Sequence, residues 1–212
     1  GAVEKGPARG DFKETACEIV FNTSMTGYVE ILTDPSYAGQ GVVMTYPMIG
    51  NYGISREDFE SERLQPSAFI VHELSSDPSN FRCTDTIENL LKEYNIPCIS
   101  GVDTRAVVKK LRESGTMRGV LTSDIGDRER LMDVIKSFRQ IDLVGSVTAK
   151  QTKVYGEENT GAEIALMDFG TKRNIINNLV KRNCIVTVYP SFTSADEIIK
   201  TSPDGIMLSH GP

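Results

Sequence analysis

Apolar residues along this chain follow two rhythms. Up to Leu74 they come in short runs separated by polar words rich in Gly, Pro, Asn and small hydroxyl residues. Ala16–Phe21, Val29–Leu32, Gly41–Thr45 and the Ala68–Val71 run inside Pro66–Leu74 read as strands, which argues for a β-rich region. Helical spacing then enters. Asp85 with Glu88 three residues on is a capping-box spacing, followed by Ile87, Leu90, Leu91 and Tyr94 on one face, with Asn95 to end the helix left-handed. Ile96–Ser100 reads as a short strand. Asp103 caps a helix from Thr104 to Ser114 with Ala106, Val107 and Leu111 inward, and Gly115 stops it. Val120–Thr122 reads as a strand, and Arg128–Phe138 as a helix burying Leu131, Val134, Ile135 and Phe138.

After a polar, aperiodic stretch the grammar changes. Ile164–Met167 is a continuous apolar run ending in Asp168-Phe169-Gly170, as expected of a parallel strand buried on both faces. Lys172–Arg182 carries the stripe Ile175, Ile176, Leu179 and Val180. Cys184–Tyr189 is a second strand, Thr193 or Ser194 caps a short helix through Lys200, and Gly205–Leu208 is a third strand. This is β-α-β-α-β, the first part of an open, flavodoxin-like parallel sheet whose ligands bind beyond the carboxyl ends of the strands. The chain thus divides into a domain over 1–148, a linker over 149–162 and an incomplete second domain over 163–212. Residues 1–12 read as a loop. With no start methionine and a last word that stops at a strand-to-loop junction, the chain reads as part of a longer protein.

Composition narrows the function classes. The net charge of −6, with no basic run, argues against a nucleic-acid surface. No apolar stretch approaches the roughly 18 residues of a membrane span, and no leader pattern is visible, so the expected location is the cytoplasm. Cys17, Cys83, Cys98 and Cys184 form no CxxC pair and the histidines are only His72 and His210, which gives no metal spacing and suggests reduced thiols. No GxGxxG or Walker word appears, and Asp168-Phe169-Gly170 is too poor in glycine to cradle phosphate.

Three polar words carry the candidate chemistry: Phe21 to Tyr28, Thr33-Asp34-Pro35-Ser36-Tyr37, and Thr45 to Gly53. Side chains of this type bond their own backbone, so such loops hold a shape on a sheet scaffold, where binding residues tend to sit. Alone, the words would suit tight turns. In this order they resemble the N-terminal domain of the small, glutamine-hydrolysing subunit of carbamoyl-phosphate synthetase. Asp103-Thr104-Arg105 and the Lys109-to-Met117 continuation match the same family. Asp103 suits a helix N-terminus in any fold, and Arg105 could pair with a carboxylate in the domain or across an interface. Asp168 to Asn174, and Pro203 to Pro212, resemble the start of a class I glutamine amidotransferase domain. That family's last word usually reads Ser-Asn-Gly-Pro-Gly-Asp-Pro; here His210 replaces the Asn.

The resemblance implies a layered β/β/α N-terminal domain before the open sheet, hence an α/β protein. It implies glutamine as substrate, a cysteine nucleophile helped by His and Glu, and ammonia passed to a large synthetase subunit. That partner uses ATP and Mg; no cofactor is expected in this chain. The family's Cys-Leu-Gly-His-Gln-like nucleophile word does not occur here, so no catalytic residue is assigned, and Cys184 reads as a core residue. Two positions carry over for glutamine binding. By this resemblance Ser36 matches a serine that reaches the amino-acid end of glutamine, and Gly211 matches the oxyanion-strand glycine that lines the pocket. Two other readings are a structural module that only docks on the large subunit, and an unrelated flavodoxin-like nucleotide- or effector-binding domain with a β-rich attachment.

Overall fold

The computed structural model describes residues 8–9, 14–139 and 142–212. The expected loop over 1–12 therefore lies outside the described residues, apart from Ala8–Arg9. The chain forms two compact units, Gly1–Thr33 with Gly39–Gln140, and Asp34–Ala38 with Ile141–Pro212. The fold is α/β, as the resemblance implies.

In the first unit β1 (Ala8–Arg9) and β2 (Thr15–Asn22) precede a helix α1 (Tyr28–Thr33). Then come β3 (Gln40–Met44), β4 (Met48–Ile49), β5 (Ala68–Ile70) and β6 (Glu73–Leu74). The helix α2 (Ile87–Glu93), β7 (Cys98–Ile99), α3 (Thr104–Ser114), β8 (Met117–Leu121) and α4 (Arg128–Ser137) complete it. Six strands form one sheet in the order β1-β7-β5-β3-β2-β8, while β4 and β6 make a separate parallel pair. The four inner strands run parallel and both edges antiparallel. One core cluster gathers Cys17, Val43, Ala68 and Ile70 from the sheet with Val108 and Leu111 of α3. Burial pushes the Cys17 thiol up to about 12, so it sits there as a protonated, apolar-like side chain.

Three expectations change here. Val29–Leu32 is not a strand but lies in α1, whose first turn closes with Ile31 N–H donating to the Gly27 carbonyl at 3.0 Å. Tyr28, Val29, Ile31 and Leu32 are all buried, so the run shows no period that could separate helix from strand, and burial overrides its β-branched residues. The cap of α2 is Thr86, which accepts from Asn89 N; Asp85 accepts from Thr86 N and Asn89 Nδ2, and Glu88 pairs with Lys92 at 3.0 Å. On α3, Val108 and Leu111 face inward and Ala106 is exposed. Asn95 does end α2 left-handed, at φ 55°, and Asp103 does cap α3 through Ala106 N. Arg105 is exposed and is paired with no carboxylate among the described residues.

The second unit begins in chain order with a 3-10 turn at Pro35–Tyr37. It continues with α5 (Leu143–Val147), β9 (Lys153–Tyr155), β10 (Glu163–Asp168) and α6 (Arg173–Val180). It ends with β11 (Ile185–Pro190), α7 (Ala195–Lys200) and β12 (Gly205–Leu208). The sheet order is β12-β10-β11-β9, with β10 parallel to both neighbours. Alternate residues of β10 serve opposite faces: Leu166 packs with Ile176 of α6, and Ala165 with Ile198 of α7. Ser194 caps α7 in a full capping box with Glu197. Cys184 packs half-buried against the α6 side of the core.

The stretch 149–162 is not a free connector. Lys153–Tyr155 pairs antiparallel with β11, and Asn159 Nδ2 donates to the carbonyls of Val180 and Cys184 at 2.9 and 2.8 Å. A three-residue edge strand pinned by polar side chains needs no apolar stripe, which is why the pattern hides it.

Candidate functional site

β10 is followed in sequence by β11 on one side of it and then by β12 on the other. Strand order reverses between β10 and β12, and a crevice opens beyond their carboxyl ends at such a point. The loops leaving those two strands are Phe169–Lys172 and Ser209–Pro212.

Asp168 builds the first loop. It is 7% exposed, and its Oδ1 accepts from Gly170 N at 3.0 Å and Thr171 N at 2.7 Å. Its Oδ2 accepts from Ala149 N at 2.7 Å, and its carbonyl from the Thr148 hydroxyl. The turn is thereby clamped from the chain ahead of it and from within. Gly170 sits at φ +128°, where side chains are strained. The Thr171 hydroxyl oxygen is buried with no hydrogen-bond partner among the described residues, a polar group of the kind that bound water or ligand satisfies.

Ser209 ties the second loop to the first. Its hydroxyl accepts from Phe169 N at 2.9 Å and donates to the His210 carbonyl at 2.8 Å. Gly211 then passes so near Phe169 that a Cβ on it would fall 2.0 Å from the Phe169 carbonyl oxygen. Only glycine permits this approach.

The third segment comes from far up the chain. Asp34 caps the 3-10 turn by accepting from Ser36 N at 2.9 Å, and Ala38 N closes it on the Pro35 carbonyl. A Cβ built on Gly170 would lie 3.1 Å from Pro35 Cβ and 3.3 Å from Gly211 Cα. Pro35, Gly170 and Gly211 therefore pack together, which brings the turn that carries Ser36 up to the loop that carries Gly211. Ser36 is half-buried, and its hydroxyl has no hydrogen bond among the described residues. Asp34 Oδ2 pairs with Lys172 Nζ at 2.7 Å, and His210 Nε2 stands 4.0 Å from Oδ1. Neither Asp34 nor Lys172 is singled out by the sequence pattern. Their pairing is long-range, and the only local signal is the Asp-Pro-Ser turn itself.

The arrangement presents a free hydroxyl, a glycine-lined backbone edge and a compensated ion pair around one crevice. Such a set suits a small polar molecule bearing hydrogen-bonding groups at one end. The described residues hold no group of three or more His, Cys, Asp or Glu side chains placed for a metal ion, and no helix among them is long and apolar enough to cross a membrane.

Residues 1–121 match the family described as carbamoyl-phosphate synthase small chain, CPSase domain, and residues 165–212 match glutamine amidotransferase class-I. The carbamoyl phosphate synthase small chain of Clostridium perfringens is 46% identical over all of this chain and 60% of its own length. That of Listeria monocytogenes is 45% identical over 98% of this chain and 57% of its own. That of Bacillus cereus is 46% identical over 100% and 58%. The chain thus spans somewhat over half the length of the relatives it matches.

Proposed function

The chain belongs to the carbamoyl-phosphate synthase small chain family, and from that premise we propose that it binds glutamine for a subunit that releases ammonia from it. The ammonia serves carbamoyl phosphate synthesis on a large partner subunit in the cytoplasm. ATP and Mg act on that partner, and this chain holds no cofactor of its own. The observation that carries the reading is the meeting of Asp34–Tyr37, Phe169–Lys172 and Ser209–Pro212 at the strand-order reversal of an amidotransferase-like sheet.

In this reading Ser36 Oγ bonds the α-amino or α-carboxylate group of glutamine, and Gly211 lets the substrate lie against the backbone of the β12 loop. The turn after Pro35 fixes the hydroxyl with little freedom left to lose. The family's nucleophile word is absent from these 212 residues, and Cys17 and Cys98 are buried in the other unit. In this reading the 212 residues by themselves bind glutamine without hydrolysing it.

The test uses the full-length subunit assembled with its partner. A hydrogen bond to a charged group contributes about 1.5–3 kcal/mol, so Ser36→Ala should raise KM for glutamine by at least about tenfold with kcat within about twofold. Synthesis driven by free ammonia, which bypasses the pocket, should keep its rate. Equal loss of both reactions would instead assign this region to docking on the partner. An unchanged KM would reduce Ser36 to a turn residue.

A further inference from the structure

The proposed site depends on one hydroxyl, yet among the described residues Ser36 bonds nothing with its own side chain; what holds its backbone is the residue two positions earlier. We propose that Asp34 is a positioning residue of the substrate site, a buried carboxylate that clamps the Ser36 turn to the loop after β10 through Lys172. The inference rests on the reading of the site as a glutamine pocket.

The two oxygens of Asp34 do different work. Oδ1 accepts the Ser36 N–H at 2.9 Å and fixes the turn internally. Oδ2 meets Lys172 Nζ at 2.7 Å and fixes the turn to the strand-end loop. The Asp34 side chain is 9% exposed and that of Lys172 36%, so the carboxylate is largely withdrawn from water. A withdrawn carboxylate has to be paired, and Lys172 is the cation placed to do it. The Lys172 backbone is itself well placed, directly after the turn that Asp168 clamps and at the cap of α6. A continuous path therefore runs from β10 through the Asp168 turn and Lys172 to Asp34 and the Ser36 backbone.

His210 completes the arrangement, with Nε2 4.0 Å from Asp34 Oδ1. Asp34 thus bonds its own turn and the β10 loop and stands beside the β12 loop. An amide at position 34 could still cap the turn, because its oxygen accepts the Ser36 N–H. It could not neutralise Lys172. The carboxylate is needed for the clamp rather than for the cap, and that separates the two roles experimentally.

In the full-length subunit with its partner, Asp34→Asn should raise KM for glutamine about tenfold while kcat stays within about twofold. In an Asp34→Asn background, Lys172→Met should add much less to KM than it does alone, because the two act through one pair. Amide exchange at Ser36, read by NMR or fragment mass spectrometry, should quicken in Asp34→Asn and in Lys172→Met alike. An unchanged KM in Asp34→Asn, beside a raised KM in Ser36→Ala, would overturn the clamp and leave the glutamine reading standing. Fully multiplicative KM effects of the two substitutions would also overturn it. Absence of saturable glutamine hydrolysis in the wild-type complex would defeat the glutamine reading instead. Ser36 exchange would still decide the clamp: equal rates in wild type and both variants would refute it.

Discussion

Asp168→Ala should destabilise the second unit by about 3–5 kcal/mol, the largest single loss expected from the site. Three backbone N–H groups, from Gly170, Thr171 and Ala149, converge on this carboxylate within 3.0 Å. Alanine leaves all three donors without their acceptor at a place that is 7% exposed, where water enters poorly. Each bond to a charged group contributes about 1.5–3 kcal/mol, and part of that returns as the loop relaxes. Asp168→Asn keeps one carbonyl oxygen and should lose roughly half as much. Chemical denaturation of the full-length subunit measures both. A loss below about 1 kcal/mol for Asp168→Ala would mean that the loop after β10 keeps its shape without its buried acceptor.

Gly211→Ala should cost about 2–4 kcal/mol locally and raise KM for glutamine by at least about tenfold. The added methyl would sit 2.0 Å from the Phe169 carbonyl oxygen and 2.9 Å from its carbon. Both are backbone atoms of the loop after β10, so neither can swing aside as a side-chain tip would. The Ser209–Pro212 segment must move, and the Ser209 bond to Phe169 N moves with it. Gly205→Ala is the control within the same strand-loop element. Its Cβ would meet only the Ile164 Cδ1 methyl, at 3.3 Å, a flexible neighbour. It should change stability by no more than about 1 kcal/mol. Gly211→Ala indistinguishable from Gly205→Ala in KM and denaturation midpoint would show that the close approach has no functional consequence.

The second unit's sheet was legible because its signals are local. The unbroken apolar run before Asp168 marks a strand covered on both faces, and Leu166 and Ala165 do meet α6 and α7 on opposite sides. Ser194 with Glu197 marks a helix start, and the full capping box is there. In the first unit the same reasoning placed β3, α3 and α4 but missed α1, since a run as short as Val29–Leu32, buried at all but Glu30, carries too little period to separate helix from strand. The parallel order of the inner strands was not legible either, because crossovers leave no mark in any one segment.

The candidate site divides in the same way. Ser36 and Gly211 come from words whose turn chemistry and family resemblance are visible in sequence. Asp34 could be read as a turn residue before Pro35, and it does bond Ser36 N. Its second bond, to Lys172, depends on residues 34–38 belonging with the amidotransferase-like sheet rather than with their neighbours in the chain. No local pattern encodes that. Lys172 reads in sequence only as the start of a helix, and the fold gives it its partner.

Hydrogen exchange on the full-length subunit with and without saturating glutamine tests the central claim most directly. The account predicts that glutamine slows exchange in all three segments together: Asp34–Tyr37, Phe169–Lys172 and Ser209–Pro212. Protection confined to the first unit, for example around the separate cavity lined by Glu30, Tyr52 and Arg82, or no change in these three segments, would contradict it.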